Sequence, residues 1–313
     1  MLAMLQNTTR FTPSKNFYVK PNSGSDGNSG LSPRHALKTL VRAKALATAD
    51  NGDAVFLIAE SNTAASTTDY QSTALDWSKD GVNLIGVGAN PFIGQRSRIA
   101  QTSTVKTIED LFTVSADNCY IEGIEVFQGV ASSIATAPRA VVVSGQRNKI
   151  VNCQLSGIGD TSLDVAGARS LHVSGSENTF ENCYLGLDTV IRGTALCEVS
   201  VTTAARTKFK DCMINSYTSL STFKALIATS TDRFVLLDNC ILSCVQGITS
   251  SVAPTGAIGT ATLNGQVWML GGGVFGYADV TTADNSAVLV LTHGALAANI
   301  IDMGVAKGTD VAA

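Results

Sequence analysis

A repeat of about 29 residues constrains this chain more than any other feature. Four segments align: NKIVNCQL (Asn148 to Leu155), NTFENCYL (Asn178 to Leu185), TKFKDCMI (Thr207 to Ile214) and VLLDNCIL (Val235 to Leu242). Their cysteines, Cys153, Cys183, Cys212 and Cys240, advance in steps of 30, 29 and 28. The same step reaches Ile124 in YIEGIEV and Met269 in VWMLGGG. An independent series runs upstream at Val114, Val143, Val173, Val201 and Ala228, each followed by Ser or Thr, in steps of 29, 30, 28 and 27. Between the two series, Asn118, Asn148 and Asn178 recur at intervals of 30.

A fixed period of this length means stacked units. Each unit reads as two or three strands of about five residues, too short for a helical solenoid. Such strands can form a coil in which every repeat climbs by one inter-strand spacing, roughly 4.8 Å. Counted from Ala54 to Ile301, the period allows about nine coils. The recurrent Asn suits a left-handed turn between strands. The second strand of each unit is expected to carry the cysteine, where a small apolar side chain stacks on its equivalents above and below. Seven cysteines is an odd count, and their spacing reads as free buried thiols rather than a disulfide framework or a metal site.

Charged residues make up only 15% of the chain, against about 25% in ordinary domains. With a net charge of −3 there is no basic stripe for nucleic-acid phosphates. No apolar run approaches the 18 or so residues of a membrane span. The start, MLAMLQNTTRFTPSK, lacks an export signal, so the expected route is synthesis in a host cytoplasm without secretion.

Ahead of the repeats, NSGSDGNSGLSPRHALKTL (Asn22 to Leu40) places Gly24, Gly27 and Gly30 before a helical segment. The glycine spacing matches neither a dinucleotide fingerprint nor a P-loop, and an EF-hand counted from Asp26 would need Glu where Leu37 stands. The stretch reads instead as a turn into a helix that closes the open end of the coil. Ser32 is the expected N-cap and Pro33 the first helical position, with Leu37, Leu40 and Val41 facing the core and Arg34, Lys38 and Arg42 in water.

The segment FYVKPNSGSDGNSGLSPRHALKTLVRAKALATADNGDAVFLI, with the repeat, resembles the right-handed parallel β-helix proteins of the pectate-lyase-like superfamily. The resemblance implies an all-β, single-stranded right-handed parallel β-helix of about nine coils with an N-terminal capping α-helix. The boundaries drawn are residues 1–15 for an N-terminal arm, 16–53 for the opening strand and capping helix, 54–301 for the β-helix and 302–313 for a tail. That superfamily holds polysaccharide lyases, glycoside hydrolases, phage tailspikes and non-enzymatic virion proteins, so it is specific for fold and poor for function.

The polygalacturonase-like catalytic set is incomplete: His293–Gly294 is present, but no Asp-Asp pair and no Arg-Ile-Lys. The acids nearest a shared face are Asp160, Asp164 and Asp188, in loops expected to follow the strands of two adjacent coils. Asp160 with Asp188 is the candidate for a glycosidase-type carboxylate pair; as turn residues they have a structural use too. Glu122, Glu125, Glu177 and Glu181 read as surface charges, and His35, His172 and His293 as structural. Aromatic residues are 6% of the chain, and Tyr70 with Trp77 is the candidate exposed ligand-binding pair. Residues 61–81, 89–107 and 129–139 read as insertions into the early coils, where partner contact is expected to concentrate.

No cofactor and no metal is expected. The resemblance points to a virion structural protein of bacteriophage type, a β-helical surface appendage or capsid decoration subunit. It would be a homotrimer in contact with other capsid or tail proteins, and with host surface glycan, and would bind neither nucleic acid nor membrane. The alternative is a tailspike-like polysaccharide lyase or glycoside hydrolase.

Overall fold

The structure, a computed structural model, describes residues 14–61, 63, 67–88, 97–130, 136–246, 253–262, 264–281 and 287–291. The chain climbs as a parallel β-helix with three sheets. Among the described residues sheet 1 has ten strands, from Asn16–Val19 to Val288–Leu291; sheet 2 has eight, from Thr68–Gln71 to Gly273–Phe275; sheet 3 has seven, from Leu75–Trp77 to Ile258–Ala261. One coil shows the path: Lys149–Val151 in sheet 1, Gln154–Ser156 in sheet 2, Arg169–Val173 in sheet 3, then Thr179–Glu181 back in sheet 1. Seven such three-strand turns are complete, and Gln266–Leu270 with Gly273–Phe275 begins an eighth. The count of nine ran to Ile301, and residues 292–301 lie outside the described residues, as do the arm at 1–13, the tail and His293.

The valine series is a register column. Val114, Val143, Val173, Val201 and Ala228 pair in succession along sheet 3 and point into the core. Parallel strands covered on their inner face favour such β-branched side chains. Phe180 stacks on Phe209 at 4.9 Å between sheet 1 strands of adjacent coils. The supposed insertion at 61–81 supplies the strands Thr68–Gln71 and Leu75–Trp77, and 89–107 supplies Arg98–Gln101. These stretches complete their coils; they looked like insertions because only two strands per repeat were legible.

The cysteines stack, but at a corner. Cys153, Cys183, Cys212 and Cys240 stand between sheet 1 and sheet 2, each directly ahead of a sheet 2 strand. All seven cysteines of the chain are buried free thiols. The carbonyls of Cys153, Cys183, Cys212 and Cys240 each accept the amide of the next coil at 2.9–3.0 Å. Thiols of Cys183, Cys212 and Cys240 donate to carbonyls one coil back, at 3.5–3.6 Å. Ile124 precedes Cys153 in this column as expected, but Gly272 follows Cys240, while Met269 lies in sheet 1 opposite Leu237. The longer loop before the last coil shifts the step.

Immediately before each cysteine, Asn152, Asn182, Asp211 and Asn239 adopt φ of 51–53°. Asn and Asp tolerate this conformation better than other non-glycine residues. The amide of Asn182 donates to Asn152 Oδ1 at 2.6 Å, and that of Asn239 to Asp211 Oδ1 at 2.7 Å. At the corner between sheets 3 and 1 the expectation holds for Asn118 alone (φ 57°), whose equivalents are Arg147 and Glu177. Asn148 and Asn178 fall one residue later, inside: Asn178 Oδ1 accepts from Asn148 N at 2.8 Å, and Asn148 Oδ1 from Cys119 N at 2.8 Å.

The open end is covered by a shorter cap than expected. Pro33–His35 forms a single 3-10 turn, and a separate helix, α1, spans Leu40–Leu46 with Thr39 as N-cap. Between them Leu37 is extended, because its amide donates to Tyr18 O and its carbonyl accepts from Lys20 N, both at 2.8 Å. Leu40 and Ala43 face the core, whereas Val41 is 49% exposed. The register starts at residue 40 rather than 33, which turns Val41 outward. Asp26 of the glycine-rich stretch accepts from Lys38 N, Thr39 N and Thr39 Oγ1 at 2.9–3.0 Å. A Cβ on Gly24 would lie 2.1 Å from Leu37 O, and Gly30 (φ 74°) lies under the Leu37 side chain. The stretch is thus a clip that seats Leu37, and each fully buried Leu in the cap contributes about 1.5–3 kcal/mol.

Candidate functional site

The chain leaves the narrow coil mainly where sheet 2 passes to sheet 3. Loops there form a small second core outside the solenoid, from Ile158, Leu163, Ala168, Ala195 and Phe223. Behind it lies a fully buried ion pair, Arg192–Glu198, with NH2 to Oε1 at 3.0 Å and Nε to Oε2 at 3.2 Å; Ser170 Oγ also donates to Glu198. Burial without such partners would be prohibitive for either charge.

The three candidate acids have separate surroundings. Asp160 caps the 3-10 turn Thr161–Leu163, accepting from Ser162 N and Oγ, and these bonds lower its pKa. Asp164, at the other end of that turn, accepts the amides of Gly193, Thr194 and Ala195 at 2.7, 3.3 and 2.8 Å and pins the loop of the next coil. Asp188 is not in a loop: it lies within the nine-residue strand Tyr184–Arg192, and its Oδ2 accepts from Asn215 Nδ2 at 3.1 Å. Asp160 and Asp188 share no hydrogen-bond partner among the described residues. A general acid at neutral pH needs a raised pKa, the opposite of what Asp160 has.

Trp77 is fully buried, with its indole Nε1 donating to Val82 O at 2.8 Å, and has no face for a ligand. It sits in the first sheet 3 strand with its side chain inward, the place of Val114 one coil on. Tyr70 is 45% exposed on the outer face of sheet 2 and borders a groove of about 420 Å³. Glu125, read as a surface charge, is buried and pairs with Arg98 at 2.7 Å. Glu177 bridges Arg147 and Arg206, and Glu181 lies within 2.7 Å of Lys149.

Sequence reasoning missed a column on sheet 3. Asp110, Arg139, Arg169, Cys197 and Lys224 pair in succession, four residues ahead of each member of the valine series. That fixed offset was available in the sequence. Arg139 grips Asp110 with two bonds of 2.6 and 2.8 Å, and Arg169 donates to Ala166 O and Ala168 O. Lys224 is buried beside Thr255 Oγ1, and desolvation lowers its pKa. His172, on the same strand as Arg169, shares a hydrogen bond with Ser200 Oγ at 2.8 Å; burial, then Arg139 and Arg169, push its pKa down to about 4. The imidazole is therefore neutral at pH 7. Among the described residues no group of three or more His, Cys, Asp or Glu is placed to hold a metal ion.

No family model matches the sequence, and no curated protein matches it. Solved structures do. The chain is similar to a rhamnogalacturonan lyase, with a TM-score of 0.57 and 16% identity over 82% of this chain and 67% of that one. It is similar to a pectin methylesterase variant in complex with a hexasaccharide, at 0.51 and 15% over 90% and 81%. The pectin methylesterase PemA from Erwinia chrysanthemi gives 0.50 and 16% over 90% and 81%. These likenesses establish the fold, which is the right-handed parallel β-helix.

Proposed function

We propose that the chain is a bacteriophage-type virion structural protein, a β-helical surface appendage or capsid decoration subunit that touches capsid or tail proteins and host glycan without cleaving it. One observation carries the non-catalytic reading: the carboxylates of Asp160, Asp164 and Asp188 serve as acceptors that fix loops and strands, and no two of them share a hydrogen-bond donor among the described residues. Of the three, Asp164 receives three backbone amides, which ties both of its carboxylate oxygens to the loop of the next coil. A trimer and a place on the virion surface extend this reading.

Two measurements test it. Immunogold labelling of intact phage particles should decorate the capsid or tail, and light scattering should return three chains per particle of purified protein. Incubation with host capsular or O-antigen polysaccharide should yield neither new reducing ends nor the absorbance of unsaturated sugar. A second reading, a tailspike-like polysaccharide lyase or glycoside hydrolase, draws support from sheet 3, where a neutral His172 feels the charges of Arg139 and Arg169. Polysaccharide cleavage that is lost in Asp160→Asn, Asp188→Asn or His172→Ala would install that reading instead.

A further inference from the structure

The groove beside Tyr70 is built from one register row of sheet 2. Tyr70, Ala100 and Phe127 are successive partners across three coils. Two aromatic walls thus stand two strand spacings apart, roughly 9.6 Å, over an alanine floor. Arg98 lies two residues upstream on the central strand, with its guanidinium carbon 5.5 Å from the centre of the Phe127 ring. Phe127 is seated by small neighbours: a Cβ on Gly129 would lie 2.2 Å from its ring, and one on Gly159 would lie 2.9 Å from it. The Phe127 wall is therefore placed before any ligand arrives.

Gln101 shares its row with Gln71 and Ile99 precedes it by two in the core, so its side chain belongs to the inner face and the polar reach of the groove comes from Arg98. Among the described residues Arg98 is the one charged residue of the lining, and Glu125 pairs with it at 2.7 Å with its own side chain 4% exposed.

We propose that this groove is a binding subsite for a neutral sugar ring. The volume of about 420 Å³ falls within the usual range for small-molecule sites, about 300–1,000 Å³. A pyranose offers apolar C–H faces to Tyr70 and Phe127, which stand on one outer row of sheet 2. Its hydroxyl oxygens accept from the guanidinium N–H groups of Arg98 that Glu125 does not take. Among the described residues the Arg98–Glu125 pair leaves the lining without net charge, so a uronic acid must desolvate its carboxylate beside Glu125. The inference deepens the glycan contact in the reading above and rests on it only for the source of the sugar.

Calorimetric titration of the full chain with neutral trisaccharides of glucose, galactose and mannose, and with trigalacturonate, tests the proposal. At least one neutral trisaccharide should bind, and trigalacturonate should bind at least tenfold more weakly. Tyr70→Ala should weaken binding about five- to tenfold through loss of a ring face. Ala100→Phe should abolish it by filling the floor; Tyr70 is 45% exposed, so the melting temperature of Tyr70→Ala should stay near that of the parent, and its weakened binding carries the test if Phe at the 6% exposed Ala100 loosens the coil. Absence of binding by all three neutral sugars, binding indifferent to both substitutions, or tighter binding of trigalacturonate would each overturn the assignment. Binding to the isolated chain is independent of particle labelling and of polysaccharide cleavage, so its failure is separable from failure of the virion reading.

Discussion

Asp69→Asn tests how the cap is held. Asp69 lies in the first sheet 2 strand with its side chain inside the solenoid, 3% exposed. Leu40 N, at the start of α1, and Gln71 Nε2 both donate to Asp69 Oδ2, at 3.0 and 2.7 Å. Desolvation dominates these bonds, with a smaller push from Asp26, and raises the pKa from 3.8 to about 6. The folded state therefore holds this proton more tightly than the unfolded chain does. Stability from this group is fully present below pH 3.8 and is lost as pH rises through about 6, a total of about 3 kcal/mol.

Asparagine keeps the oxygen that accepts both bonds and cannot ionise, so it escapes the loss. Stability from urea unfolding, measured at pH 4.5 and pH 7.5, should show Asp69→Asn gaining on the parent by about 2 kcal/mol more at the higher pH. Hydrogen exchange at the Leu40 amide should slow in parallel. An equal difference between variant and parent at the two pH values would refute the account, because it would mean that Asp69 is ionised throughout or solvated in the folded chain.

Other outcomes follow from the same geometry. Glu198→Ala leaves Arg192 charged and buried and should cost about 3–5 kcal/mol in urea unfolding, whereas Arg192→Met combined with Glu198→Leu should recover most of it. All seven thiols should resist a disulfide-exchange reagent in the folded protein and react together on unfolding, because burial pushes those of Cys119 and Cys197 up to about 12 and those of Cys183 and Cys212 upward, while the Cys212 thiol beside it, with burial, raises that of Cys240. Asp164→Ala should accelerate hydrogen exchange at residues 193–195 and cost about 1–3 kcal/mol, with the circular dichroism of the sheets unchanged. The imidazole of His172 should titrate near pH 4 by NMR, well below the ordinary 6.5.

The period, the valine column and the cysteine stack were legible in the sequence because identical surroundings recur at every coil, and recurrent surroundings select recurrent side chains. Features that occur once were harder to read. Val41 satisfies a helical spacing counted from Pro33, yet the Leu37 bridge to the first strand resets the helix at Leu40. Asp188 resembles a loop residue, but its strand runs on for nine residues. Trp77 lies in a polar stretch whose neighbours gave no hint that it points inward. Asn118, Asn148 and Asn178 keep an interval of 30 while occupying two different positions, because the coil from Val114 to Val143 takes 29 residues and the left-handed place of Asn118 passes to Arg147. The groove was half legible: Tyr70 stood out as an aromatic residue, whereas its pairing with Phe127 needs the register of coils 57 residues apart in sequence.

The two-residue corner that holds the asparagine and cysteine columns divides the molecule into a side that can be edited and a side that cannot. One residue added between Val151 and Gln154 would move the following sheet 2 strand by one place, exchange its inner and outer faces, and break the carbonyl chain through the cysteines. The passage from Ser156 to Arg169 already carries twelve residues beyond the two strands it joins. A foreign peptide grafted there would ride on the outside, repeated at one coil's height if grafted again, which makes this edge a ruled surface for display at steps of roughly 4.8 Å.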